Sequence, residues 1–91
     1  MPEFVIEKDM IGLGELPPDE QQQTARQSCS ALHNVAPGIE WVQSYLTPNK
    51  VYCVYRAPSE QILRDYIKLS GTQVVSISEV HNIIRPSAPS A

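Results

Sequence analysis

No apolar run in this chain is long enough to cross a bilayer, so a membrane-spanning helix is not expected. A basic cluster is missing too. The seven Lys and Arg are scattered and the net charge is −3, whereas phosphate recognition needs a concentrated positive footprint. Nucleic acid is therefore not an expected partner. The start, Met-Pro-Glu-Phe-Val-Ile-Glu-Lys-Asp, lacks the basic end, apolar stretch and small-residue cleavage site of a secretory signal. A cytoplasmic location is the expectation. Cysteine is scarce, with Cys29 and Cys53 alone; in a reducing compartment the expectation is two buried thiols rather than a disulfide. No catalytic motif, phosphate loop or complete metal-ligand spacing is present.

What is present is a clear order of elements. Pro2 to Lys8 alternates and is rich in Phe, Val and Ile, the pattern of a strand. Ile11-Gly12-Leu13-Gly14 breaks it. Pro17-Pro18-Asp19-Glu20 starts a helix, because proline tolerates the first turn and carboxylates suit the positive end of the helix dipole. Ala25, Cys29, Leu32 and Ala36 then recur at helical spacing until Pro37-Gly38 stops the run. Ile39 to Leu46 and Val51 to Tyr55 form a hairpin around Thr47-Pro48-Asn49-Lys50. Ser59 caps a second helix with an apolar stripe of Ile62, Leu63, Tyr66, Ile67 and Leu69, closed by Gly71. Gln73 to Ile84 is the expected last strand.

The fold expected from this order is α+β and ferredoxin-like: βαββαβ, with a four-stranded antiparallel sheet and two helices on one face. Residues 1–85 make one domain, and 86–91 a tail with nothing to bury. Ninety-one residues fold alone, yet bury only about two thirds of their unfolded surface. Pairing with a second copy would add burial.

Period-two alternation sorts the strands into two faces. Phe4 and Ile6, Val42 and Leu46, and Tyr52 and Val54 are expected beneath the helices. Val5 and Glu7, Trp41, Gln43 and Tyr45, Val51, Cys53 and Tyr55, and then Glu79, His81 and Ile83 are expected on the open face. So aromatic a face on a monomer would invite association, so it is expected to form a homodimer seam, and two such faces could enclose a cavity. The ligand-binding candidates are Glu7, Trp41, Tyr45, Cys53 and Tyr55. Glu7, Cys53, Glu79 and His81 are the donor types for a divalent metal such as nickel or zinc. Cys53, in its apolar run, is expected to be inert, and His33 to be a solvated helix residue. By fold analogy, Trp41, His81 and Asn82 could instead serve a cofactor-free monooxygenase or another small-molecule enzyme.

Several strings carry a resemblance: Val5-Ile6-Glu7-Lys8-Asp9, the helix with Gln27-Ser28-Cys29, Trp41-Val42-Gln43-Ser44-Tyr45, and Val51 to Pro58. Glu79-Val80 with Ile83-Ile84-Arg85-Pro86 extends it. The chain resembles a family of small bacterial domains that includes a nickel-binding, nickel-responsive dimeric protein. The resemblance implies a ferredoxin-like dimer and nickel as a possible cofactor. The chain departs from the family where it carries Gln43, and again at Asp65-Tyr66-Ile67, each at a place where the family has histidine. Glutamine is a poor nickel ligand beside imidazole. Thr72-Gln73 after Gly71 also departs from the family's usual approach to the last strand.

Overall fold

Alternation of large apolar with polar residues makes Glu3–Asp9 the strand β1 in the computed structural model, which describes residues 1–35, 38–71 and 73–86, with backbone alone for 31–35. A short 3-10 turn, Leu13–Glu15, leads into α1 (Pro18–Val35). The hairpin β2 (Glu40–Leu46) and β3 (Lys50–Arg56) follows, then α2 (Glu60–Ser70) and β4 (Ser76–Glu79). The sheet order is β2-β3-β1-β4, all neighbours antiparallel, so the expected βαββαβ arrangement is present. Ala36, Pro37, Thr72 and residues 87–91, on which the helix stop and most of the expected tail fall, lie outside the described residues, as do the side chains of Leu32 and His33.

Local chemistry accounts for the joints. The Thr47 hydroxyl accepts from the Lys50 N–H at 2.9 Å, and the Thr47 N–H donates to the Lys50 carbonyl at 2.9 Å, closing the hairpin turn. The loop after β1 docks on that turn: Met10 N–H donates to Asn49 O and Gly14 N–H to Pro48 O, both at 2.8 Å. Gly14 is required there because a Cβ would lie 2.8 Å from Pro48 Cα. Ser59 caps α2 by accepting from Ile62 N–H at 3.2 Å, and Gly71, at φ 71°, ends it.

Both helices pack on one face of the sheet. Ala25 and Cys29 of α1 and Leu63 and Ile67 of α2 join Phe4, Ile6, Val51, Cys53 and Tyr55 in a single core. Each fully buried Leu or Ile contributes about 1.5–3 kcal/mol relative to exposure. The expected stripe of α2 narrows to Leu63 and Ile67, with Tyr66 packed beside them, while Leu69 points to solvent at 76% exposure.

Four expectations are corrected. On β3, Val51, Cys53 and Tyr55 face the helices and are fully buried; Tyr52 and Val54 take the open face. The run Val51-Tyr52-Cys53-Val54-Tyr55 is apolar on both phases, so alternation carries no contrast there. On β2, the register shifts between Trp41 and Gln43. This bulge puts Trp41 opposite Tyr55 on the helix side and Tyr45 opposite Tyr52 on the open side, and Val42 moves out from under the helices. The last strand is only Ser76–Glu79. Val80 N–H still donates to Glu3 O at 2.8 Å, but β1 begins at Glu3, so the chain beyond has no ladder left to join. Finally, Cys29 and Cys53 are not thiols but a disulfide, 6.5 Å apart at Cα, which ties α1 to the centre of the sheet.

Candidate functional site

Among the described residues, no helix covers the sheet face opposite α1 and α2. Register places Glu3, Val5, Glu7 and Asp9 of β1 on it, beside Arg56, Val54, Tyr52 and Lys50 of β3. Gln43 and Tyr45 come from β2 and Ser76 and Ser78 from β4. Val5, Val42, Gln43, Tyr45, Val54 and Ile83 line a concavity of about 540 Å³ here, which Glu3, Arg56 and Arg85 also border. The Gln43 amide donates to the Tyr45 hydroxyl, which pins two hydrogen-bonding side chains over the apolar centre.

Two ion triads bracket this strip. At one end Lys50 Nζ lies 2.5 Å from Glu7 and 3.1 Å from Asp9. At the other, Arg56 reaches Glu3 at 3.0 Å and Glu40 at 3.5 Å. Hydrogen bonds to Glu7 and Asp9 raise the Lys50 pKa above its ordinary value, and the bond to Glu3, with the Glu40 charge, does the same for Arg56. Each triad holds two carboxylates against one cation; the Lys50 end keeps a net negative charge, while Arg85, which borders the same concavity beside Glu3, balances the Arg56 end.

The nominated residues divide between the two faces. Glu7 and Tyr45 occupy the open one, as expected. Trp41, Cys53 and Tyr55 belong to the helix side; the Tyr55 hydroxyl donates to the Cys29 carbonyl, and burial raises its pKa. Glu79 pairs opposite Phe4 and so points to the helix side at the β4 edge. His81 lies past the end of β4 with Met1, Pro2, Glu3 and Asn82 around it. Trp41 sits on the opposite edge strand from the chain that carries His81 and Asn82, so the three residues that fold analogy would assign to a monooxygenase are spread across the sheet.

Glu7, Cys53, Glu79 and His81 therefore do not converge within one chain, and among the described residues no group of three His, Cys, Asp or Glu is placed to hold a metal. Cys53 is oxidised and Glu7 is occupied by Lys50. This donor set does not fit a nickel centre.

Arg56 and Lys50 border the open face and Lys8 is buried on the other, placements that alternation alone did not bring out. Lys8 is on the helix face, 3% exposed, donating to the Ser28 carbonyl at 3.0 Å. Its phase with Phe4 and Ile6 was a signal for that burial. The triads required register, which pairs Asp9 with Lys50 and Glu3 with Arg56.

Architecture and face together define a small α+β protein of the ferredoxin-like class, with both helices on one side of its sheet. Among the described residues no helix is long and apolar enough to cross a membrane. A family model described as nickel responsive protein SCO4226-like matches residues 4–80, and the chain belongs to this family. The crystal structure of SCO4226 from Streptomyces coelicolor A3(2) superposes with a TM-score of 0.65 at 21% identity, covering 90% of this chain and 99% of that one. Comparison with curated proteins returned no match.

Proposed function

We propose that the protein is a homodimer that binds a small, positively charged ligand between two open sheet faces. The observation that supports this most directly is the open face itself, with its apolar centre and a surplus carboxylate at the Lys50 end. A second copy would remove Val5, Val42 and Tyr45 from water and leave Gln43 and Tyr45 as polar anchors within apolar walls. The surplus carboxylate of the Glu7, Asp9 and Lys50 triad favours a cation. A hydrated divalent metal, nickel in the printed description of the family, is one candidate of that charge, held through carboxylates and water rather than through imidazole or thiolate. Carboxylate and water suit hard cations, so nickel selectivity over magnesium or manganese is not expected. A cytoplasmic setting remains part of the proposal although disulfides are rare there; full burial of Cys29 and Cys53 slows their exchange with thiol reductants.

Light scattering and calorimetry test it. Wild type should run as a dimer, and Tyr45→Asp, at a position 55% exposed, should run as a folded monomer. Calorimetry with nickel, magnesium and a small organic ammonium should show cation binding that Glu7→Gln weakens. A monomeric wild type would remove the basis of the proposal. Imidazole-like selectivity for nickel would show that the donor set lies elsewhere.

A further inference from the structure

On the far side of the sheet, α1 and the edge strand β2 leave a second concavity of about 220 Å³, lined by Gln22, Ala25, Arg26, Trp41, Ser44 and Leu46. Its chemistry is the reverse of the open face. Gln22 and Arg26 are one helical turn apart on α1 and present an amide and a guanidinium on one side. Lys50, Arg56 and Arg64 are each held by carboxylates, but among the described residues no hydrogen bond or ion pair engages Arg26. Asp19 is the carboxylate that borders the adjoining surface with Gln22, Gln23 and Arg26, and it lies two turns away along α1, roughly 10 Å.

The opposite wall is fixed in place. The Trp41 indole N–H donates to the Ser44 hydroxyl at 2.9 Å, and that hydroxyl donates onward to Cys29 Sγ at 3.1 Å. The indole is thus anchored through Ser44 to the disulfide that ties α1 to β3. Ala25 supplies a buried apolar floor. A preformed wall lowers the ordering cost of binding.

We infer that this crevice between α1 and β2 is a second binding site, for a small monocarboxylate carrying one ring. The guanidinium fork of Arg26 matches a planar carboxylate in two hydrogen bonds, with Gln22 as a further donor. The indole and the apolar floor take the ring. The volume is below the roughly 300–1,000 Å³ of sites for drug-sized ligands, which excludes a nucleotide or a peptide.

Trp41 is the one tryptophan in the chain, so its fluorescence reports occupancy directly. Benzoate should produce a saturable change in the emission of the intact, oxidised wild-type protein, and benzamide, its neutral counterpart, should not. Arg26→Gln should weaken the benzoate response at least tenfold, with an unchanged thermal melt confirming its fold. Tyr45→Asp, on the other face, should leave the benzoate response unchanged, so failure here and failure of the dimeric cation-binding proposal are separable. An absent response to benzoate, an equal response to benzamide, or an Arg26→Gln protein that binds as wild type does would each overturn the assignment.

Discussion

Replacing Lys8 with methionine should stabilise the protein at neutral pH, and the gain should vanish in alkali. Lys8 points into the core with Phe4 and Ile6, and its amine is held by the Ser28 carbonyl and, at 3.5 Å, by the Ser28 hydroxyl. No carboxylate pairs with it among the described residues. Burial lowers its pKa from 10.5 to about 8. At about 1.4 kcal/mol for each tenfold change in proton affinity, that lowering corresponds to about 3 kcal/mol. Below pH 8 the amine is charged in both the folded and the unfolded chain, and the full desolvation cost is felt. Between 8 and 10.5 the unfolded chain holds the extra proton, so stability rises with pH. About 2 kcal/mol of the rise should be complete by about pH 9.5.

Urea denaturation near pH 6.5 and near pH 9.5, with the disulfide intact, measures the effect. The wild-type midpoint should climb by roughly 1–2 M across that interval, while the midpoint of Lys8→Met should not. The comparison is best kept below pH 10. Burial raises the Tyr55 pKa, so above that point the same side chain ionises in the unfolded chain but not in the folded one, which takes stability away, the opposite sign. At neutral pH Lys8→Met should be the more stable protein, by less than the full 3 kcal/mol because two hydrogen bonds to Ser28 are lost. Parallel pH profiles, or a variant less stable than wild type near pH 6.5, would refute the reasoning: the amine would then be solvated in a way that its burial denies.

Reducing the Cys29–Cys53 bond, which closes a loop with a sequence separation of 24, should cost about 3.5 kcal/mol on the chain-entropy relation. A urea midpoint unchanged by a reductant, with thiols verified by mass spectrometry, would contradict it. Gly14→Ala should lower the melting temperature, because the new Cβ meets Pro48 at 2.8 Å in backbone-anchored contact; overpacking of this kind costs about 1–3 kcal/mol. Gly38→Ala, where nothing lies within 4 Å, is the matched control, and equal melts for the two would show that the loop yields freely.

Element order was legible because its signals are local. Proline and carboxylates open α1, Ser59 caps α2, and Gly71 closes it. The ends of the sheet were less so: Gln73 to Ile84 has the composition of a long strand, but its partner β1 runs out at Glu3. Glu7 and Tyr45 were placed on the open face from alternation. Cys53 and Tyr55 were not, since both phases of β3 are apolar and burial was decided by which set meets Cys29 and Ala25 of α1. The disulfide was not legible for a different reason. There the expected reducing compartment argued for thiols, and a separation of 24 positions carries no pairing signal of its own.

The bulge in β2 is the step that gives the two faces their different chemistry. A regular strand would keep Trp41, Gln43 and Tyr45 on one side, making the open face a wall of aromatics with a single possible use. The shift between Trp41 and Gln43 turns the indole toward α1, where Ser44 and the disulfide hold it beside Arg26. It leaves Gln43 and Tyr45 over an apolar strip whose Lys50 end carries surplus carboxylate. One extra residue in an edge strand thus separates the proposed carboxylate crevice from the proposed cation-binding face. Because the sheet lies between them, substitutions such as Arg26→Gln and Tyr45→Asp can address each side independently.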